Sequence, residues 1–263
     1  MLTQDDPLLL RHDDARGVVT VTMNRPQAFN ALSEGMLDAL QAECDALAKD
    51  ESARVLIVAA AGKAFCAGHD LREMRAAPSM GYYQQLFARC AKVMQALQQL
   101  PIPVIARVQG VATAAGCQLV ASCDLAVALR SARFAVSGVN LGLFCSSPAV
   151  ALSRNMGRKE AFEMLVTGEF LDAAEAQRRG LVNRLADDAA GLDAAVEHLA
   201  ASIVAKPRQA VALGKQLFYR QLEAGVAAAY VDAGHTMACN MMDEAALEGV
   251  QAFVDKRPPA WGR

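Results

Sequence analysis

The sequence has no surplus of either charge: 26 lysines and arginines stand against 28 aspartates and glutamates, a formal net charge of −2. That balance excludes a strongly basic nucleic-acid module. There is no C-x-x-C pair. Seven cysteines (Cys44, Cys66, Cys90, Cys117, Cys123, Cys145 and Cys239) make an odd number, and neither a disulfide framework nor a zinc knuckle has their spacing. Reduced thiols in a cytoplasmic protein are expected instead. His12, His69, His198 and His235 are scattered without metal-ligand spacing. No apolar run reaches the roughly 18 residues of a membrane span. The N-terminal stretch MLTQDDPLLLRHDD is acidic and lacks the apolar region of a signal peptide. The final AWGR matches no targeting or lipidation signal. Nucleotide and hydrolase fingerprints are missing as well: there is no G-x-x-x-x-G-K-[ST], no G-x-G-x-x-G and no G-x-S-x-G. No internal repeat or low-complexity linker interrupts the chain.

What is present is apolar material, 54% of 263 residues, with 21% charged. That supports a large core and excludes a wholly disordered chain. At roughly 150 residues per domain it is one large domain, or one with an appendage. Runs at 8–12 and 18–23 around Gly17 predict a hairpin. Ser33 is a plausible N-cap for a helix carrying Met36, Leu37, Leu40, Cys44 and Leu47 on one face. VLIVAAA (55–61) reads as a strand buried on both faces. A helix over 81–99 presents Leu86, Cys90, Val93, Met94 and Leu97, and Pro101 and Pro103 stop it. VIARV (104–108) is the next strand. This alternation indicates α/β architecture with crossover connections. A small-residue loop (110–116), a short helix (117–123), a strand (124–129) and FAVSGVNLG (134–142) follow. From 147 the pattern is helical, near 148–155, 158–167, 172–179, 188–205, 207–223, 226–241 and 243–255. A short strand at 182–185 interrupts these helices, and Gly225 is the best break.

Two segments stand out chemically. KAFCAGHDL (63–71) follows the strand at 55–61, and GVATAAGCQL (110–119) follows the strand at 104–108. Both lie at the C-terminal edge of one expected parallel sheet, where ligands of α/β proteins bind. Small residues let backbone N–H groups approach a ligand closely. The second segment opens a helix, whose N-terminus favours an anion. Two N–H groups converging on one carbonyl oxygen would form an oxyanion hole. By spacing alone, ordinary tight strand-to-helix turns are the favoured reading of both segments.

The order and content of MNRPQAFNALS (23–33), KAFCAGHDL (63–71), PIPVIARVQGVATAAGCQLVASCDLAVA (101–128), VNLGL (139–143), TGE-x-x-x-A-x-x-A (167–176), GLVNRL (180–185) and EGVQAFVDKRPPAW (248–261) resemble the crotonase (enoyl-CoA hydratase/isomerase) superfamily. That resemblance implies an α/β spiral of β-β-α turns with a C-terminal helical trimerisation region. It implies a spiral acyl-CoA-binding core over 1–195, trimerisation helices over 196–263, and a homotrimer or homohexamer. It also implies fatty-acid or related acyl-CoA metabolism, with lyase or isomerase chemistry. Coenzyme A enters as part of the substrate, with no separate cofactor or metal and no nucleic-acid or membrane partner. The shared chemistry holds an acyl-CoA thioester carbonyl between two peptide N–H groups. Matched onto this chain these are Ala67 and Ala115, the latter standing where the family usually has glycine.

The resemblance also exposes departures. The hydratases resembled here carry one glutamate in G-C-E-L and another four residues before the glycine of the next loop. This chain has Gln118 after Gly116 and Cys117, and it has Gly138 ahead of Gly142. An amide is far too weak a base, and glycine has no side chain. A positioned acid or base is worth about 10²–10⁴, so an efficient hydratase is not expected. His69 is an available acid/base or carboxylate anchor. The A-G-H-D and VNLG strings resemble the methylmalonyl-CoA decarboxylase branch, in which the place held here by Cys145 is a tyrosine. Cys145 is either a potential nucleophile or a small buried filler.

Arg25 and Arg72 are candidates for coenzyme A phosphate contacts. Lys256, with Arg257, matches the family's basic C-terminal motif. Ala28, Phe29, Met74 and Phe144 are candidates for the substrate channel. Asp70 suits a helix cap, Asn140 a loop-orienting role, and Asp124 a place organising the core. Three readings follow: an enoyl-CoA hydratase/isomerase-like thioester-processing protein, a decarboxylase of a carboxylated acyl-CoA, or a non-catalytic acyl-CoA binder.

Overall fold

After an opening hairpin, strands in this chain come in pairs, and each pair divides between two sheets. The structure is a computed structural model that describes residues 7–76 and 78–261. Residues 1–6 and 262–263, on which parts of the terminal-signal readings fall, lie outside the described residues. The first hairpin is β1 (Leu9–Asp13) with β2 (Val18–Met23), antiparallel. Helix α1 (Glu34–Leu47) follows. Ser33 Oγ accepts the Met36 N–H at 3.2 Å, and the five apolar residues at helical spacing are buried. The next units are β3 (Val55–Ala60), β4 (Ala64–Cys66), α2 (Leu71–Ala76) and α3 (Met80–Gln99); then β5 (Val104–Val108), β6 (Val111–Thr113) and α4 (Ala115–Ser122). Strands β7 (Leu125–Leu129) and β8 (Arg133–Ala135) lead to α5 (Ser146–Asn155) and α6 (Arg158–Thr167). After β9 (Leu171–Asp172), α7 (Ala173–Arg178) and β10 (Arg184–Ala186) come α8 (Ala189–Val204), α9 (Arg208–Leu222), α10 (Val226–Met241) and α11 (Glu244–Val254).

One sheet has the order β1-β2-β3-β5-β7-β10 and the other β4-β6-β8-β9. Beyond the first hairpin, the pairs of the six-stranded sheet are parallel. In the four-stranded sheet only β8 with β9 is antiparallel. Successive β3-β4, β5-β6 and β7-β8 pairs therefore climb the molecule as turns of a spiral. All six residues of β3 are buried, as a strand covered on both faces requires.

The loops read at 63–71 and 110–119 each contain a three-residue strand, β4 and β6. Both segments thus extend from the smaller sheet rather than from the edge of the larger one. Three small residues have no detectable period, so pairing in space decides this. Likewise 134–142 holds only the end of a strand and then a 3-10 turn, Ser137–Leu141.

The expected boundary between residues 195 and 196 falls inside α8. Leu192, Val196 and Ala200 on that helix share a core cluster with Val18, Val55, Ile57, Ile105 and Val127. Helix α8 is therefore a layer on the large sheet, and separation begins later. Helix α9 is fastened by a buried polar knot. Lys215 Nζ donates to the Leu97 and Ile102 carbonyls at 2.9 and 2.8 Å and to Asp124 Oδ2 at 2.7 Å. Asp124 also accepts the Tyr219 hydroxyl at 2.7 Å and the Val104 N–H at 2.6 Å. Burial pushes the Lys215 pKa down, and Asp124 opposes it. Helix α10 has no buried residue. Val226, Tyr230, Val231 and Met237 on it, Met242 just beyond its end, and Phe253 on α11 are all more than two-thirds exposed.

Removing one partner of a buried, hydrogen-bonded ion pair leaves the other uncompensated. Lys215→Met is expected to lower unfolding stability by about 3 kcal/mol, read from the urea midpoint.

Candidate active site at the meeting of two loops

The segment 24–33 is folded around Asn30. Its side chain is fully buried. Its Oδ1 accepts the Arg25 N–H at 2.9 Å, while Nδ2 donates to the Ala61 and Ala64 carbonyls at 2.8 and 2.9 Å. Phe29 and Asn30 both adopt left-handed conformations, with φ of 51° and 53°. Asparagine tolerates this region better than most residues, and three hydrogen bonds hold it there. The turn aims three backbone groups at the end of β4. The Phe29 carbonyl accepts the Ala67 N–H at 3.0 Å, the Leu32 N–H donates to Gly68 O at 2.7 Å, and the Asp70 N–H donates to Leu32 O at 3.3 Å.

This pairing corrects the donor expected from the sequence. The Ala67 N–H is already spent on Phe29. Leu32 bridges the residues either side of His69 in parallel fashion, so the His69 N–H points away from that bridge. Among the described residues no backbone acceptor takes the N–H of His69 or of Ala115. The two segments touch: a Cβ on Gly68 would lie 2.9 Å from Ala114 Cβ and 3.3 Å from Ala115 N. Thr113 Oγ1 also donates to Ala67 O at 3.0 Å.

Ala115 itself is helical, so its side chain is no obstacle. The strained residue is its neighbour Ala114, with φ 49° and ψ −121° at the start of α4. L-residues other than glycine avoid this region, at a cost on the order of 1–3 kcal/mol. Sequence reasoning missed Ala114 because alanine in a small-residue loop carries no sign of positive φ. Gly116 follows for a steric reason: a side chain there would collide with the Cys66 carbonyl. Its absence lets the start of α4 lie against β4.

The side chains around these donors are uncharged or committed elsewhere. Gln118 is 4% exposed, and its Oε1 has no partner among the described residues. His69 Nδ1 is likewise buried and unpartnered. The imidazole meets the Phe87 ring edge-on at 5.5 Å. Burial lowers its pKa, opposed by the Leu32 carbonyl, which favours the neutral ring. Gly138 offers no room for a carboxylate: a Cβ there would lie 2.7 Å from Cys145 Sγ and still closer to the Leu143 carbonyl. A glutamate at position 138, where the resemblance implies one, is therefore blocked sterically. Cys145 is 7% exposed, and burial raises its pKa while the Gly138 N–H opposes this. Its thiol is protonated at neutral pH and fills space, so the nucleophile expectation is not supported.

Asp70 caps α2 through the Arg72 N–H at 3.0 Å and pairs with Arg25 at 2.9 Å. Burial pushes its carboxyl upward, but Arg25 and the backbone donors outweigh this and hold it below the usual range. Arg25 is thereby committed to Asp70, whereas the Arg72 side chain is exposed. Asn140 Nδ2 donates to Gly168 O at 3.3 Å, tying the 3-10 turn to the end of α6. Ala28 ends the short 3-10 turn before Phe29, which is 56% exposed. Met74 is buried, and Phe144 is 43% exposed on an apolar groove of about 720 Å³ with Phe162, Leu165 and Val166. Lys256 is exposed beyond α11 with φ 55°, outside the two-loop site.

Comparison with known proteins gives a consistent result. The family model described as enoyl-CoA hydratase/isomerase matches residues 13–263. The rat protein named enoyl-CoA hydratase domain-containing protein 3, mitochondrial, is 42% identical over 258 residues, covering 98% of this chain and 86% of that protein. A crystal structure of an enoyl-CoA hydratase from Mycobacterium smegmatis is 67% identical with a TM-score of 0.96, covering 97% of this chain and 99% of that one. The crystal structure of human enoyl Coenzyme A hydratase domain-containing protein 3 is 40% identical with a TM-score of 0.93, covering 97% and 100%. The rat protein and its human counterpart are both named mitochondrial. This overturns the cytoplasmic location expected from the thiols, since reduced cysteines report a reducing compartment without saying which.

The strain at Ala114 is open to direct measurement. Ala114→Gly is expected to raise stability by about 1 kcal/mol, strain relief exceeding the added chain entropy of glycine. A lower denaturant midpoint would contradict the strained assignment.

Proposed function

The chain belongs to the enoyl-CoA hydratase/isomerase family, and on that premise we propose that it binds acyl-CoA thioesters with the carbonyl oxygen between the N–H groups of His69 and Ala115. The observation that carries this reading is the pair of uncommitted donors on two touching segments. As the thioester forms an enolate, negative charge grows on that oxygen. Two fixed donors and the N-terminus of α4 stabilise the charge without reorganisation. Losing one such donor typically costs about 10²–10³ in rate. Coenzyme A arrives as part of the substrate, and this chemistry calls for no other group.

The proton-handling equipment is reduced. Gln118 cannot act as a carboxylate base, Gly138 has no side chain, and the Cys145 thiol is protonated and crowded. His69 is the ionisable side chain beside the donors that is not committed to a salt bridge. We therefore assign weak hydratase chemistry, with isomerase chemistry limited by the same deficit. A carboxylated substrate would benefit from a cation at the acyl end. Burial favours neutral His69, and Asp70 already occupies Arg25, so the decarboxylase reading is not preferred. The exposed apolar surface of α10 and α11 fits burial against further copies of the chain, as a homotrimer or a pair of trimers.

With folded protein and crotonyl-CoA, loss of the enoyl absorbance is expected to run at least ~10⁴-fold below an ordinary turnover on the order of 10² s⁻¹. Turnover at the ordinary rate would show that another group replaces the glutamates. Light scattering is expected to give three or six times the mass of one chain, and a stable monomer would contradict the assembly.

A further inference from the structure

The end of α10 carries a cluster of side chains that the two-loop site does not use. Cys239 is exposed, whereas the other six thiols are buried. Its Sγ lies 3.6 Å from Nε2 of His235, one turn earlier on the same helix face. Met242 comes three residues after Cys239. Its N–H donates to the Cys239 carbonyl at 3.0 Å, a 3-10 closure of the last turn, and side chains three apart eclipse in that geometry. The Met242 side chain therefore leaves the backbone in line with that of Cys239. It is 77% exposed, and its rotatable bonds let the thioether swing to the thiol. Neighbouring carboxylates are spent elsewhere. Asp232 accepts Arg220 at 2.7 and 2.9 Å, and Asp243 accepts Asn240 Nδ2 at 2.8 Å. Among the described residues no third His, Cys, Asp or Glu joins the pair. Val226 and Tyr230 stand two and a half helical turns before His235 and Cys239, so the pair lies across the helix from that apolar side.

Metal bonds of about 2.0–2.1 Å to nitrogen and 2.3 Å to sulfur put the two donor atoms about 3.5–3.8 Å apart at tetrahedral to trigonal angles. The 3.6 Å found between Cys239 and His235 already meets that requirement. The donor set then narrows the ion. Calcium and magnesium demand oxygen ligands. Thiolate and thioether suit Cu(I) and zinc, but zinc sites are completed by histidine, cysteine or carboxylate. Here the third donor is a thioether. We propose that His235, Cys239 and Met242 form a surface site for Cu(I), held by one nitrogen and two sulfurs. On binding, the thiol releases its proton to solvent and the thiolate bonds the metal; the copper keeps its oxidation state. Histidine spacing gives no sign of this site, because two of its ligands are sulfurs and their alignment exists only when 235–242 is helical. Copper binding here is independent of the acyl-CoA reading.

The test is anaerobic titration of the reduced, full-length protein with Cu(I) in competition with a chromophoric Cu(I) chelator, followed by the ultraviolet sulfur-to-copper absorption. Wild type is expected to take up one Cu(I) per chain. Losing even a supporting partner of a metal ligand costs about 10–100-fold in affinity. His235→Asn and Met242→Leu are therefore expected to weaken Cu(I) binding at least about 10-fold, and Cys239→Ser at least about 100-fold. All three side chains are exposed, and circular dichroism checks that each variant folds. Iodoacetamide on native wild type tests the same point without a substitution. It reaches Cys239, leaves the six buried thiols, and is expected to abolish uptake. Wild type that takes up no Cu(I), or uptake unchanged by Cys239→Ser or by alkylation, would overturn the site. Binding weakened by His235→Asn and Cys239→Ser but not by Met242→Leu would overturn the three-ligand set. Displacement of Cu(I) by an equal concentration of Zn²⁺ would overturn the choice of ion. Acyl-CoA binding is expected to be the same in Cys239→Ser as in wild type, so failure of one reading leaves the other standing.

Discussion

Helix α4 starts against the carbonyl of Cys66, where Gly116 leaves no space for a side chain. The close approach joins the end of β4 to the turn after β6, and two successive turns of the spiral meet there. Moving α4 outward by one methyl group would separate Gly68 from Ala114 and Ala115. The strained geometry of Ala114 follows from the same contact: the chain must leave β6 and enter a helix within one residue. Stored backbone strain of this kind persists only where surrounding packing over-determines it. Here the supporting packing includes Ala112, Cys117, Leu119 and Val120, all essentially inaccessible.

The opposite loop is held by a different kind of bond. Asn30 replaces a short stretch of sheet with three side-chain hydrogen bonds, and the Arg25–Asp70 pair closes the outer side. The polar groups that build this loop are occupied by building it. What remains uncommitted is a small set: two peptide N–H groups, a carboxamide oxygen and an imidazole nitrogen. Of that set, the two N–H groups lie on touching segments with no backbone acceptor among the described residues. Its one titratable member, the His69 imidazole, is pushed toward neutrality by burial. The scaffold is that of the family, while Gln118 and Gly138 stand at the two positions where the resemblance implies glutamates.

Much of the architecture was legible before the fold was known. The five buried residues of α1 and the five of α3 are those named by helical periodicity, because an amphipathic helix writes its buried face into the sequence at a spacing of three and four. The fully buried β3 was legible as an unbroken apolar run. The motifs at 23–33, 63–71 and 101–128 named segments that the fold brings into contact, and Gln118 and Gly138 stand where the resemblance implies glutamates. Less was legible where elements are short. Strands β4 and β6 were invisible because three residues define no period. The proposed end of the core at residue 195 was misplaced because the buried residues of α8 pack against a sheet whose strands lie far away in sequence.

The donor assignment shows the same division at atomic scale. Sequence by itself picked out the two small-residue segments that touch in the fold, since small residues allow close backbone approach and they cluster in two places. It also determined that positions 118 and 138 carry no carboxylate, because a carboxylate is either encoded or it is not. Which N–H groups are free was decided by tertiary structure alone. Ala67 is spent because Phe29 turns its carbonyl toward it, and His69 is free because Leu32 bonds to the residues on either side. Whether a side chain could return at position 138 was settled by the Cys145 thiol, seven residues away along the chain and in contact across the turn. A backbone N–H has the same covalent identity in every residue but proline. Its availability depends on which acceptor the fold brings within reach, and that is a property of the folded chain.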